Sequence, residues 1–163
     1  MVFMNVEDDL VIYYSYKLNW HLPKEIQHDA KEFLSQISKE QLPLIFPKYA
    51  KECWENAVEV VVSVGYPKNE LALPKLYELF MDLNWPGASK ALAYLKEIEH
   101  SENVKQLENA CAKAVEEKDI EWLYFLYRVS EDLNINQNDF KNSSLYNHMK
   151  KVYENEEGTD PDK

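Results

Sequence analysis

The sequence predicts an all-α protein of about eight helices, stacked as hairpins in the HEAT or armadillo manner. Three observations carry that prediction. Apolar residues recur at spacings of three and four almost from end to end. Three glycines and seven prolines in 163 residues are too few turn-formers for a many-stranded β fold. Finally, NELALPKLYELFMDLN (69–84) lies over DIEWLYFLYRVSEDLN (119–134) without a gap, pairing Leu73 with Leu123, Leu76 with Leu126, Tyr77 with Tyr127 and Asp82-Leu83-Asn84 with Asp132-Leu133-Asn134. An offset shared by six positions is the mark of a repeated helical unit that buries its face on its neighbours.

The elements follow in order. A helix over 7–19 leads into a corner, KLNWHLP, and Pro23 opens the next helix, 23–39. Over 48–65 the stripe Cys53, Ala57, Val60, Val61, Val64 favours helix over the strand that VEVVVSV suggests on propensity, and Gly65 with Pro67 supplies the stop. Pro74 and Pro86 sit in the first turns of helices over 70–83 and 86–99, where a missing N–H costs nothing. From 102 to 117, Val104, Leu107, Cys111, Ala114 and Val115 form one face, with Ser101 as the expected N-cap. The helix over 119–133 carries WLYFLY (122–127), six positions without a charge, which predicts core rather than an exposed aromatic strip. A last helix covers 137–153. The length gives a single domain over 1–154, and the polar, acidic, apolar-poor residues 155–163 are expected to be a disordered tail.

The corner motif deserves a physical reading residue by residue. In DLNWPGA (82–88), Leu83 ends an apolar stripe and Asn84 is expected in the left-handed conformation at which helices stop. Trp85 precedes proline and is driven into an extended conformation, from which it can staple onto the next helix. KLNWHLP places Trp20 in the same role, and DLNINQN (132–138) uses Asn136 or Asn138 as cap. Asp82 is the odd member, an acid at the end of a helix where the dipole disfavours it. Asp82, Asn84, Trp85 and Trp20 are therefore the candidate interaction residues.

Composition narrows the function. A net charge of −11 repels phosphate backbones and anionic lipid surfaces, so neither nucleic acid nor membrane is an expected partner. The 18 basic residues are scattered, and Arg128 alone offers a guanidinium fork. No run of 18 apolar residues crosses a membrane, and the start, MVFMNVEDDL, is too acidic for a signal peptide, which points to the cytoplasm. Cys53 and Cys111 have no metal-like spacing and read as buried reduced thiols. Two Glu-x-x-His runs, Glu25 to His28 and Glu97 to His100, are the one metal-like pattern, but neither sits mid-helix as a di-iron bundle requires. No cofactor, metal site or catalytic set is expected.

The order FPK (46–48), GYP (65–67), LYELFMDLNWPGA (76–88) and DIEWLYFL (119–126) resembles a bacterial domain of unknown function. Its members carry Ile-Pro-Lys, Gly-Tyr-Pro, a Leu-Glu-Trp-Leu-Gln-Asp-Met-Asn-Trp-Pro block and a late Trp-Lys-Tyr. The likeness spans about residues 44 to 130, with 1–43 as an extra helical pair outside it. Leu79 stands where the block has Trp, Gly87 where a β-branched residue is usual, and Leu123 where the late motif has Lys. The resemblance implies a HEAT-like all-helical fold and brings no activity with it. The function expected is a non-catalytic protein interaction module with a basic protein partner, in its most specific form an immunity- or antitoxin-like protein. The alternative is a helical metalloenzyme built on the Glu-x-x-His runs.

Overall fold

The structure is a computed structural model that describes residues 6–158. It is all-α: the described residues form eight α-helices joined by short 3₁₀ turns, without a strand. The chain forms two compact units that interleave in sequence. One is drawn from Met1–Leu76 and Asn84–Tyr94, the other from Tyr77–Leu83 and Leu95–Lys163.

In the first unit α1 (Asp8–Tyr16) packs on α2 (Lys24–Leu34) and on a 3₁₀ stretch, Lys39–Ile45. A second 3₁₀ turn, Lys51–Cys53, runs into α3 (Trp54–Val64), which packs on α2. Val11, Leu34, Leu42, Ile45, Ala57 and Val61 are all buried here. Pro23, expected in the first turn of α2, stands one position earlier at its N-cap, and α2 stops at Leu34, short of the expected 39. At this end the Ser35 N–H donates to the Lys31 carbonyl at 3.0 Å and its hydroxyl to the Glu32 carbonyl at 2.7 Å. The stretch from 39 to 45 then winds as 3₁₀ around Pro43. The VEVVVSV segment is helical, and Gly65 ends it with φ 78, its N–H donating to the Val61 carbonyl at 3.2 Å.

Helix α4 (Leu73–Glu78) is only six residues long and tightens to 3₁₀ over Leu79–Met81. The expected single helix over 70–83 is thus three short pieces. Helix α5 (Ala88–Leu95) begins two residues after Pro86, because Gly87 first takes φ 88.

The second unit is built on α6 (His100–Glu117), α7 (Ile120–Asp132) and α8 (Ser143–Gly158), each touching the other two, with the Leu79–Met81 turn against α7. Leu107, Cys111, Ala114, Trp122, Leu126 and Met149 are buried. Helix α6 starts two residues before the expected site, with Glu99 rather than Ser101 at the N-cap. Lys118 ends it in the left-handed conformation, φ 57, and Asp119 caps α7 by accepting from the Trp122 N–H at 3.0 Å. Two carboxylate bonds fix the start of α8: Glu108 accepts from the N–H groups of Lys141 and Asn142 at 2.8 and 3.0 Å.

The acidic tail expected from 155 onward does not begin there, since α8 continues to Gly158. Tyr153 stacks on Tyr124 at 5.1 Å, and the Tyr124 hydroxyl bonds Glu157, so this last turn has partners that composition does not reveal. Residues 159–163 of the expected tail lie outside the described residues.

Candidate functional site

The four residues flagged by the corner motif are divided between the two units. Asp82 belongs to the second unit and Asn84, Trp85 and Trp20 to the first. Asp82 is extended, φ −151 and ψ 114, four residues beyond the end of α4, so it does not oppose an α-helix dipole. Asn84 is exposed and is not among the positive-φ residues; at this corner Gly87 takes that conformation. The expectation for Asn84 holds instead for its cousin Asn134, φ 55, after which the Ile135 N–H donates to the Ser130 carbonyl at 2.8 Å.

The two tryptophan corners dock on one short stretch at the start of α3. The Trp20 N–H donates to the Glu52 carbonyl at 3.1 Å, while its ring stays exposed. Trp85 packs edge-on against Trp54 at 5.4 Å, with the Lys51 ammonium 4.7 Å from its ring centre. Beneath the Trp20 corner, Asn56 donates to the Leu18 carbonyl at 2.6 Å and to the Gln27 Oε1 at 2.9 Å. Gln27 in turn donates to the carbonyls of Trp20 and Leu22 at 3.1 and 2.7 Å, so these corner carbonyls are satisfied in the interior. These contacts hold both corners to the start of α3. Trp85→Ala is expected to lower stability by about 1–2 kcal/mol in urea denaturation, for a half-buried ring with one aromatic and one cationic partner. An unchanged midpoint would move the ring's role from folding to binding.

A site that the motifs do not mark lies along α7 and α8. Within WLYFLY, Trp122, Leu123 and Leu126 are buried, whereas Tyr124 and Phe125 turn outward. The indole of Trp122 donates to the Tyr77 carbonyl at 3.1 Å and locks the helix rotation that sets this division. Ile120, Glu121, Tyr124, Phe125 and Glu156 line an open cleft of about 530 Å³. Its aromatic wall is held rigid: Tyr124 and Phe125 meet edge to face at 5.2 Å, and Tyr153 stacks behind Tyr124 and meets Tyr127 at 4.6 Å. The bond to Glu157 pushes the Tyr124 phenol above its usual value, and burial pushes that of Tyr127 up to about 12, so both stay neutral at pH 7. The cleft therefore offers carboxylates and aromatic faces, a combination that attracts cations.

A smaller cleft of about 250 Å³ lies at the start of α6, lined by Lys96, Ile98, His100, Asn103, Asp132 and Asn134 among others. His100 Nε2 is 3.5 Å from Asp139. Asn103 below is a brace, donating to the Leu95 carbonyl at 2.6 Å and accepting from the Tyr77 hydroxyl at 2.9 Å. Burial, reinforced by Glu102, holds that phenol far above its ordinary pKa. The other Glu-x-x-His run ends at exposed His28, 3.1 Å from Glu32 in the first unit. Among the described residues no three His, Cys, Asp or Glu side chains gather as a metal set. Cys53 and Cys111 are buried and unpaired, and burial lifts their thiols to about 11 and about 12, too high for a thiolate nucleophile at neutral pH.

A family model described as a domain of unknown function, DUF5071, matches residues 55–163. The match starts later than the likeness drawn from the motifs and runs on through α8, so it contains the α7–α8 cleft. No curated protein and no solved structure matches the chain.

Proposed function

The chain belongs to the DUF5071 family, a domain of unknown function, and from that premise we propose that it is a non-catalytic interaction module that receives a basic segment of another protein. The observation that carries the reading is the α7–α8 cleft, which Glu121 and Glu156 line together with Tyr124 and Phe125. A lysine or arginine side chain laid there would place its alkyl stem on Ile120 and its charge between ring and carboxylate. The net charge of −11 would speed the approach of such a partner. An immunity- or antitoxin-like role is the most specific form of this reading. It is a role for the cytoplasm; among the described residues no helix is long and apolar enough to cross a membrane. The HEAT-like repeat belongs to the same proposal, supported by the burial of Leu73, Leu76, Leu123 and Leu126 at matching positions of the fifty-residue offset.

The test is calorimetric titration of the protein with a lysine- and arginine-rich peptide. Glu121→Lys and Tyr124→Ala are each expected to weaken binding about tenfold, near 1.4 kcal/mol, and added salt to weaken it further. Ser89→Ala, exposed on the other unit and without a change of charge, serves as the control and should leave affinity unchanged. No binding by the unaltered protein, or binding that ignores both cleft substitutions, would remove the proposal. Stoichiometric iron, manganese or zinc in purified protein would restore the metalloenzyme alternative.

A further inference from the structure

Helix α1 is built inside out. Of its nine residues only Val11 and Ser15 are buried, while Leu10, Ile12, Tyr13 and Tyr16 face solvent, Tyr13 and Tyr16 at 55% and 54% exposure. At 100° per residue these four side chains, with Asp9 and Lys17, fill one continuous arc of the helix opposite Val11 and Ser15. Four large apolar side chains exposed along one face of so short a helix are uncommon in a monomer and mark a surface that something covers. The aromatic and aliphatic patch lies in residues 8–16, outside the range of the family match and on the first unit, whereas the α7–α8 cleft belongs to the second.

The arrangement of charge says what covers it. Acidic Asp9 stands near the start of the arc and basic Lys17 just past its end, equally far from Tyr13 in the middle. We propose that two copies of the chain pair through α1, antiparallel about a two-fold axis at Tyr13. In that register Asp9 of each copy is level with Lys17 of the other, Leu10 with Tyr16, and Tyr13 with itself. An isologous contact needs one surface that complements itself, and a parallel pairing would instead set Asp9 against Asp9. In the single chain the Lys17 ammonium rests 5.1 Å from the Tyr13 ring centre, and pairing moves it from that ring to the partner's carboxylate.

The size of the face sets the strength. A nine-residue helix is roughly 13 Å long, so it buries far less than the ~800 Å² per partner of a standard stable interface. Each copy also brings a net charge of −11. That repulsion acts over the whole surface, whereas an exposed ion pair contributes little, so salt is expected to favour the dimer on balance. The pairing is weak, concentration-dependent and strengthened by moderate salt.

Sedimentation velocity of the full chain tests this, from about 10 µM to about 1 mM at about 50 and 300 mM salt, a range in which a weak interface is expected to populate. The expected result is a monomer that becomes a dimer with concentration, more so at the higher salt. The double variant Ile12→Glu, Tyr13→Glu should stay monomeric throughout while keeping its circular dichroism and melting temperature, because both side chains are exposed. Asp9→Lys or Lys17→Asp alone should weaken the dimer roughly three- to tenfold, two pairs being lost at once, and the two together should restore it. A monomer at every concentration overturns the proposal, as does a dimer indifferent to these changes. So does association that appears only when Met1–Asn5 are removed, which would make that segment the occupant, or only when a basic protein is added, which would make the face a second docking surface for another chain.

Discussion

Replacing Trp122 by Ala is expected to cost about 3–5 kcal/mol, a large part of the ~5–15 kcal/mol that holds a domain folded. The side chain is almost fully buried at the point where α7 meets the Leu79–Met81 turn, and its indole N–H is the donor to the Tyr77 carbonyl at 3.1 Å. Ala leaves both a cavity the size of a bicyclic ring and a carbonyl without this donor. Trp122→Phe separates the two effects. It fills most of the volume and loses only the bond, so a cost of about 1–2 kcal/mol is expected. Urea denaturation followed by circular dichroism reads both. Equal costs for Ala and Phe would mean that the hydrogen bond, and not the packing, is what the residue supplies. Because Trp122 sets the rotation of α7, its loss should also blur the cleft and reduce peptide binding in step with stability.

Gly87→Ala is expected to destabilise by about 3 kcal/mol, and for two reasons that reinforce each other. At φ 88 a side chain is strained wherever it points. Here a Cβ would also stand 2.8 Å from Val58 Cγ2 and 3.2 Å from the Trp54 carbonyl oxygen. The valine can shift a little; the carbonyl belongs to the first turn of α3 and cannot. Gly65 is the internal comparison, with φ 78 and nothing within 4 Å of the added carbon. Gly65→Ala therefore carries the strain without the collision, about 1–2 kcal/mol. Thermal melts of the two variants should rank Gly87 as the more damaging, and the reverse order would show that the close approach to α3 is relieved by a local shift.

How far the sequence revealed the fold depended on how long a helix keeps one rotation. Helices α6 and α7 carry a stripe over many turns, and their bounds fall within two residues of expectation. The stretches Lys39–Ile45 and Leu79–Met81 wind as 3₁₀, whose three-residue turn shifts the stripe and hides it from a 3.6-residue template. The motif Asp-Leu-Asn illustrates the limit of local preference. Its two copies have the same three residues, yet Asn134 is left-handed and Asn84 is not. What differs is the sequel: Ile135 turns back to the Ser130 carbonyl, whereas Trp85-Pro86-Gly87 moves the positive φ three residues downstream.

The cleft was legible in principle, by a simple geometric argument. Six consecutive helical residues sweep more than a full circle, so an uncharged run such as WLYFLY cannot all point inward unless the helix is enclosed on every side. The run's composition predicts core for all of it; its geometry allows only part. Trp122, Leu123 and Leu126 take the inner arc, which leaves Tyr124 and Phe125 outside. Glu156 had no local signal, because its place beside that wall depends on α8 persisting past residue 153. The pairing of aromatic rings across α7 and α8 that sustains it joins residues almost thirty positions apart.

The family match opens at residue 55, one position after Trp54 and therefore inside α3. Trp54 is anchored by its indole to the Pro47 carbonyl at 2.7 Å and carries Trp85 on its ring. The first unit takes its core from both sides of that point, Leu34 and Ile45 before it, Val61 and Ala91 after it. The stretch over which likeness can be traced and the stretch that folds are thus different lengths of chain. A gene fragment trimmed to the recognisable part would begin in the first turn of α3, with an apolar face of that helix turned to water and half a joint where Trp85 should rest. Residues 6–54 supply one side of the first unit's interior, and residues inside the family match supply the other.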